Sequence, residues 1–146
     1  SKSIAKSAGG SCATGQFDAY FSHADALGIL QALEAAKSDD WATTTAATLR
    51  KRSPLMVAVV LEQIRRARDM TLADDLRMER DMVRHCFNLR PGAASETVEG
   101  IRALAVDKDH KPQWNPTRLE DVTADMVVPF FASPWPAHAH PLRDLV

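Results

Sequence analysis

The stretch whose reading decides the fold is SPLMVAVVLEQIRRARDMTLADDLRMERDMVRHCF, residues 53–87. Ser53-Pro54 predicts a helix start: a capping hydroxyl, then proline at the first helical position, where its missing N–H is not needed. Residues 55–61 are apolar without a break, a run that suits a buried strand as well as a buried helix. The proline start and the continuation EQIRRAR select a helix over about 54–68, with basic residues in its last turn to complement the helix dipole. A helix apolar all round its first two turns needs cover on every side. The expectation is therefore that this helix, or the aromatic stretch FDAYF at 17–21, lies against another polypeptide. Thr71, with Asp74 three residues on, predicts a second helix over 72–88 with Leu72, Leu76, Val83 and Phe87 as its inward stripe. These two helices should be the longest and should pack on each other.

Working outward, Ser22 with Asp25 predicts a helix over 23–36 that buries Leu27, Leu30 and Leu33, and Ser38 predicts another over 39–51 carrying Trp41, Ala42, Thr45 and Leu49. Downstream, Pro91-Gly92 breaks the chain and Ser95 predicts a helix over 96–106 with Val98, Ile101 and Ala105 inward. DKDHKPQWNP (107–116) reads as an irregular turn segment and Thr123 as the start of a short helix. The organisation expected is a flexible linker or processing remnant over 1–16, a helical body over 17–132 and an extended Pro-rich tail over 133–146. A start at Ser1 rather than Met suits a processed or trimmed chain. With no alternating strand pattern and no Gly-rich phosphate loop, the fold class is mainly α.

Composition narrows the classes of function. A formal net charge of −1 over 146 residues gives no bulk attraction to nucleic acid or an anionic membrane. No apolar run approaches the roughly 20 residues that span a bilayer, so no membrane role is expected. Cys12 and Cys86 are far apart and have no metal-type neighbour, which points to a reducing compartment rather than a disulfide framework.

The 53–87 stretch is followed by VEGIRALAVDKDHKPQWNP (98–116), and together they resemble the end of 3-hydroxyisobutyryl-CoA hydrolases of the crotonase (enoyl-CoA hydratase/isomerase) superfamily. The features that carry the resemblance are Ser53-Pro54, Arg65-Arg66, Thr71-Leu72, Met78-Glu79, Glu99-Gly100-Ile101-Arg102-Ala103, Asp107-Lys108-Asp109 and Pro112-Gln113-Trp114. It extends over about 17–131, and 89–96 looks longer than the family's loop. The resemblance implies the C-terminal helical portion of a crotonase-like fold, without the β-α spiral core that holds the family's backbone oxyanion hole and catalytic acids. It implies a CoA thioester as the family's substrate, no resident cofactor, and a mitochondrial location (cytoplasmic in a bacterium). Two roles stay open beside the reading as a bare truncation or proteolytic product with no function of its own. One is a piece of a hydrolase of valine breakdown, dependent on a partner carrying the crotonase core. The other is a structural component of a mitochondrial small ribosomal subunit, bound to rRNA.

No catalytic residue is expected here, since thioester hydrolysis needs an oxyanion hole and a positioned acid, base or nucleophile. The resemblance makes Lys108 and Lys111 candidates for a CoA phosphate, as point charges on a turn; a solvated basic turn is the alternative. Trp114 is expected to anchor the fold rather than stack on adenine. Arg50, Lys51, Arg52, Arg65, Arg66 and Arg68 are the densest basic group, either helix-end charge or contacts to an RNA or protein partner. His138-Ala139-His140 has a spacing seen at some metal sites but no acid or cysteine beside it.

Overall fold

The structure is a computed structural model and describes residues 17–146. The linker expected over 1–16 lies outside the described residues. These form helices and turns with no strand among them, in two compact units that divide between Ala46 and Ala47.

In the first unit a short helical turn over residues 17–21 precedes helix α1, Ala26–Ala35. The cap is Asp25, whose Oδ1 accepts the Gly28 N–H at 2.6 Å. The expected cap, Ser22, instead closes the preceding turn, its N–H donating to the Asp18 carbonyl. Ile29, Leu30 and Leu33 are buried, and Leu27 is only half so. Helix α2, Asp40–Arg50, within which the division between the units falls, is likewise entered through an aspartate rather than Ser38: Asp39 Oδ1 accepts from Trp41 N–H and Ala42 N–H at 3.0 and 3.2 Å. A carboxylate is the stronger acceptor for the bare N–H groups of a first turn, and both corrections go that way. FDAYF folds on its own neighbours, with Phe17 and Trp41 edge to face at 4.5 Å and Tyr20 Oη donating to Asp39.

The second unit is built on the decisive stretch. Helix α3, Pro54–Ala67, starts as expected, with Ser53 Oγ accepting the Met56 N–H at 3.2 Å. Helix α4, Leu72–Asn88, starts with Thr71 Oγ1 accepting the Asp74 N–H at 3.2 Å. They are the longest helices described and share one core, in which Leu55 and Val59 meet Met78, Met82 and Phe130. Within the apolar run of α3, Leu55 and Val59 are buried by the unit's own side chains, Met56, Val57, Ala58 and Leu61 are half-buried, and Val60 is exposed, as is Ile64 beyond the run. One side of the helix therefore has its cover within the unit, while Val60 and Ile64 stay open to another polypeptide.

The stripe read on α4 is reversed. Ala73, Met78, Asp81 and Met82 are the buried residues, whereas Leu72, Leu76, Val83 and Phe87 face outward. Helix α5, Glu96–Ile101, capped by Ser95, runs on into a wide π turn, Arg102–Val106. It too is reversed, burying Glu96, Glu99 and Ala103 while Ile101 and Ala105 are exposed. A short helix α6, Ala124–Val127, and a 3₁₀ turn bring Phe130 into the core.

The tail is not simply extended. It makes a 3₁₀ turn at Ala137–Ala139 and lies along α4. His140 Nδ1 accepts the Leu142 N–H at 3.0 Å, so the ring proton sits on Nε2 and donates to Asp81, 3.1 Å away and buried like the imidazole. Arg77 donates to the carbonyls of Leu142 and Leu145, while Arg80 and Arg84 stack over Trp135.

Candidate functional site

The motif residues of α5 and the segment after it gather into one polar knuckle. Its hub is Arg102, three residues after Glu99 on the same face of the Ser95-capped α5. Arg102 Nε and Nη2 clasp the two oxygens of Glu99 at 2.8 Å each, and Nη1 reaches Asp107 at 2.6 Å and Asp109 at 2.9 Å. A guanidinium donates in a planar fork, so one arginine can fix three carboxylates in one plane, as a lysine could not. Buried Glu99 also accepts the Gln113 N–H at 2.6 Å. The Arg102 and Gln113 donors hold its carboxyl down at about 2, against an ordinary value of 4.5. Asp109 is also held low, first by the Lys111 N–H and then by Arg102.

Glu96, one turn earlier, is buried and accepts the Asn115 N–H at 2.9 Å and the hydroxyl of Ser53. The cap of α3 is therefore tied to the knuckle. Gly100 has a steric reason: a Cβ there would meet the Trp114 ring at 3.3 Å. Trp114 lies half-buried against it and donates Nε1–H to the Lys51 carbonyl at 3.3 Å, the anchoring role expected of it.

Lys108 and Lys111 ride on this knuckle, both exposed. Lys108 and His110 take left-handed backbone angles, φ 57° and 55°. Such angles cost a side-chain-bearing residue roughly 1–2 kcal/mol, which the Arg102 and Glu99 bonds offset. The lysines are thus displayed from a braced turn rather than a loose one.

The basic group does not act as one patch. Arg50 donates to both oxygens of Glu120 at 2.9 and 3.0 Å, and Glu120's own N–H first, then Arg50, lowers that carboxyl to about 2. Arg66 pairs with Glu62 at 2.7 Å and lies 4.2 Å over the Phe131 ring. Lys51, Arg52 and Arg68 are exposed, and Arg65 is half-buried. Arg50 to Arg52 sit before α3 and Arg65 to Arg68 at its far end; 14 residues of helix set them roughly 20 Å apart. His140 serves Asp81, and among the described residues no three His, Cys, Asp or Glu side chains gather as a metal would need. No described helix is long and apolar enough to cross a membrane.

Residue-by-residue reading missed the hub. Glu99 and Arg102 stand at i and i+3, a spacing that pairs on a helix, but the reach to Asp107, Asp109 and Gln113 depends on the π turn between them.

Comparison with known proteins gives this geometry its family. The enoyl-CoA hydratase/isomerase family model matches residues 3–131. A probable 3-hydroxyisobutyryl-CoA hydrolase of Arabidopsis thaliana is 39% identical over 70% of this chain and 28% of its own length. The small ribosomal subunit protein mS47 of the same plant is 38% identical over 78% of this chain and 28% of its own. A mitochondrial 3-hydroxyisobutyryl-CoA hydrolase of Dictyostelium discoideum is 35% identical over 70% and 26%. The chain therefore spans little more than a quarter of the length of these relatives. Among solved structures, a carnitinyl-CoA dehydratase from Mycobacterium thermoresistibile, 30% identical, superimposes with a TM-score of 0.66 over 87% of this chain and 36% of its own. The helices match the C-terminal helical part of that crotonase fold, and the chain belongs to the enoyl-CoA hydratase/isomerase family, with 3-hydroxyisobutyryl-CoA hydrolases among its homologues.

Proposed function

We propose that the chain is the C-terminal helical segment of a 3-hydroxyisobutyryl-CoA hydrolase-like protein, spanning 17–132 between a linker and a tail. It turns over CoA thioesters of valine breakdown only together with a crotonase core. The observation that carries this reading is the knuckle. Glu99, Gly100, Arg102, Asp107, Asp109 and Trp114, the residues of the hydrolase resemblance, form one bonded unit. That unit braces a turn and presents no acid free for chemistry, since the carboxylates of Glu99, Asp107 and Asp109 all receive Arg102. Its displayed groups are Lys108 and Lys111, which we assign to the phosphates of CoA in the assembled enzyme. A mitochondrial location goes with this reading, the Dictyostelium relative being named so.

The test is a thioesterase assay on 3-hydroxyisobutyryl-CoA. The purified chain alone should give no turnover above uncatalysed hydrolysis, and turnover by the chain alone would overturn the reading. In the assembled enzyme, replacing Lys108 and Lys111 with Ala should raise KM several-fold and leave kcat close to wild type.

A second reading has one observation in its favour, the ribosomal relative. In it the chain is part of a mitochondrial small ribosomal subunit, with Lys51, Arg52 and Arg68 toward rRNA. Arg50 and Arg66 are less available for that, being engaged by Glu120 and Glu62. Co-sedimentation with the small subunit, lost at high salt, would select it over the enzyme.

A further inference from the structure

The turn that carries Lys108 and Lys111 is held from one point. Its backbone enters the left-handed region twice, at Lys108 and His110, so it does not take this shape by preference. Asp107 and Asp109, the two neighbours of Lys108, both accept from Arg102 Nη1, at 2.6 and 2.9 Å. The Lys111 carbonyl accepts from Arg102 Nη2 at 3.2 Å, and the Lys111 N–H donates to Asp109 Oδ1 at 2.8 Å. Arg102 is itself seated by buried Glu99, which takes Nε–H and the other Nη2 donor. These bonds engage all five N–H donors of the guanidinium, so none is left for a ligand. Support runs from a buried carboxylate, through one guanidinium, to the groups that flank each lysine.

The same arrangement sets the charge that a ligand meets. Lys108 lies between two aspartates, which alone would draw its ammonium in and repel an anion. Arg102 engages both, and among the described residues neither Lys108 nor Lys111 forms an ion pair of its own. The carboxylates of Glu99, Asp107 and Asp109 are balanced by Arg102 and the two lysines; with Arg102 removed the turn is left net negative. A lysine at 102 would supply the charge without the planar fork that reaches all three carboxylates together.

We infer that Arg102 is a positioning residue for the phosphate-bearing end of the substrate, acting through Asp107, Asp109 and the Lys111 carbonyl to hold Lys108 and Lys111 where they meet phosphate. The inference rests on the assignment of those two lysines to the CoA phosphates and adds the group on which that assignment depends.

The test is kinetic, on the assembled enzyme, with 3-hydroxyisobutyryl-CoA and with the pantetheine thioester of the same acid, which has no phosphate. Arg102→Lys should raise KM for the CoA thioester several-fold and leave kcat, and KM for the pantetheine thioester, close to wild type. Asp109→Ala is the second variant. It leaves the Glu99 clasp in place, so it reads out even where circular dichroism shows that Arg102→Lys does not fold. Its sign is decisive: by charge alone, losing an acid beside the lysines lowers KM for a phosphate-bearing substrate, whereas loss of position raises it. A rise is expected. Adding Arg102→Lys to Lys108→Ala/Lys111→Ala should raise KM no further, since there is nothing left to position. An unchanged or lowered KM in Asp109→Ala, a rise shared by the pantetheine thioester, or a further rise without the lysines overturns the positioning role. If Lys108→Ala/Lys111→Ala leaves KM for the CoA thioester unchanged, the phosphate assignment falls and the inference with it. If that pair raises KM and the Arg102 and Asp109 variants do not, only the positioning role falls.

Discussion

Helices α3 and α4 begin in the same way, with a hydroxyl cap and apolar residues behind it, yet they end up opposite in use. The uninterrupted run of α3 reads as the sticky surface, yet its Leu55 and Val59 are fully out of solvent and only Val60 of the run is exposed. The spaced stripe of α4 reads as the inward face and is the bare one. Density of apolar residues says how much must be buried; it does not say by what. In α4 the inward positions go to two methionines and to an aspartate held by a histidine, so the hydrophobic period alone points to the wrong side.

The largest effect expected from this contrast is on α3. Val59→Asp puts a carboxylate where no solvent and no partner reach it, and should cost more than about 4 kcal/mol, enough to unfold a domain of this size. Thermal and urea unfolding check it. A folded Val59→Asp chain with an unchanged midpoint would mean that the α3 surface is open after all.

The next effect lies on the tail-covered face of α4. His140→Ala leaves the buried Asp81 carboxylate without its imidazole donor, and should cost about 1–3 kcal/mol. Hydrogen exchange should accelerate over residues 133–146 while α3 stays protected. Equal exchange in the tail before and after the change would show that the latch holds nothing.

An acid titration sets the polar knuckle against both helices. Glu99 has a lower pKa folded, about 2, than its ordinary 4.5. Its ionised form therefore stabilises the fold fully above pH 4.5, and that contribution is lost as pH falls toward 2. Glu99→Gln should be less stable than wild type at neutral pH and should lose less on going through that window. Glu120, held down to the same range, keeps part of the slope. A Glu99→Gln curve parallel to wild type would show that the Arg102 clasp is not what lowers the carboxyl.

What was legible in the sequence divides along the same physical line. Ser53, Thr71 and Ser95 were readable as caps because a cap is a bond over three residues. Ser22 and Ser38 lost that role to Asp25 and Asp39, also a local contest, decided by acceptor strength. The mainly helical class and the family resemblance were both readable. The inner faces of α4 and α5 were not, because burial depends on which elements arrive from elsewhere: the tail at Asp81, and Gln113 and Asn115 at Glu99 and Glu96. Lys108 and Lys111 could be picked out as cations on a turn. That the turn is braced by Arg102 could not, since the brace passes through a π turn that no simple periodicity announces.

The smallest effect is the one that separates α4 from α3 most cleanly. Val83 already meets solvent in this unit, so Val83→Asp exchanges one exposed side chain for another. It forfeits little burial, leaves Met78 and Met82 undisturbed, and adds an acid in the second half of a helix, where the dipole opposes it by a few tenths of a kcal/mol. The unfolding free energy of the chain by itself should therefore shift by no more than about 0.5 kcal/mol, against the collapse expected for the same replacement at Val59. Urea unfolding of the two variants side by side measures the difference. If Val83→Asp destabilises the lone chain by several kcal/mol, the stripe is already packed within the chain and α4 has no free face. If the two aspartates do equal and slight damage, the core assigned to Leu55 and Val59 is absent, and α3 rather than α4 is the helix still waiting for cover.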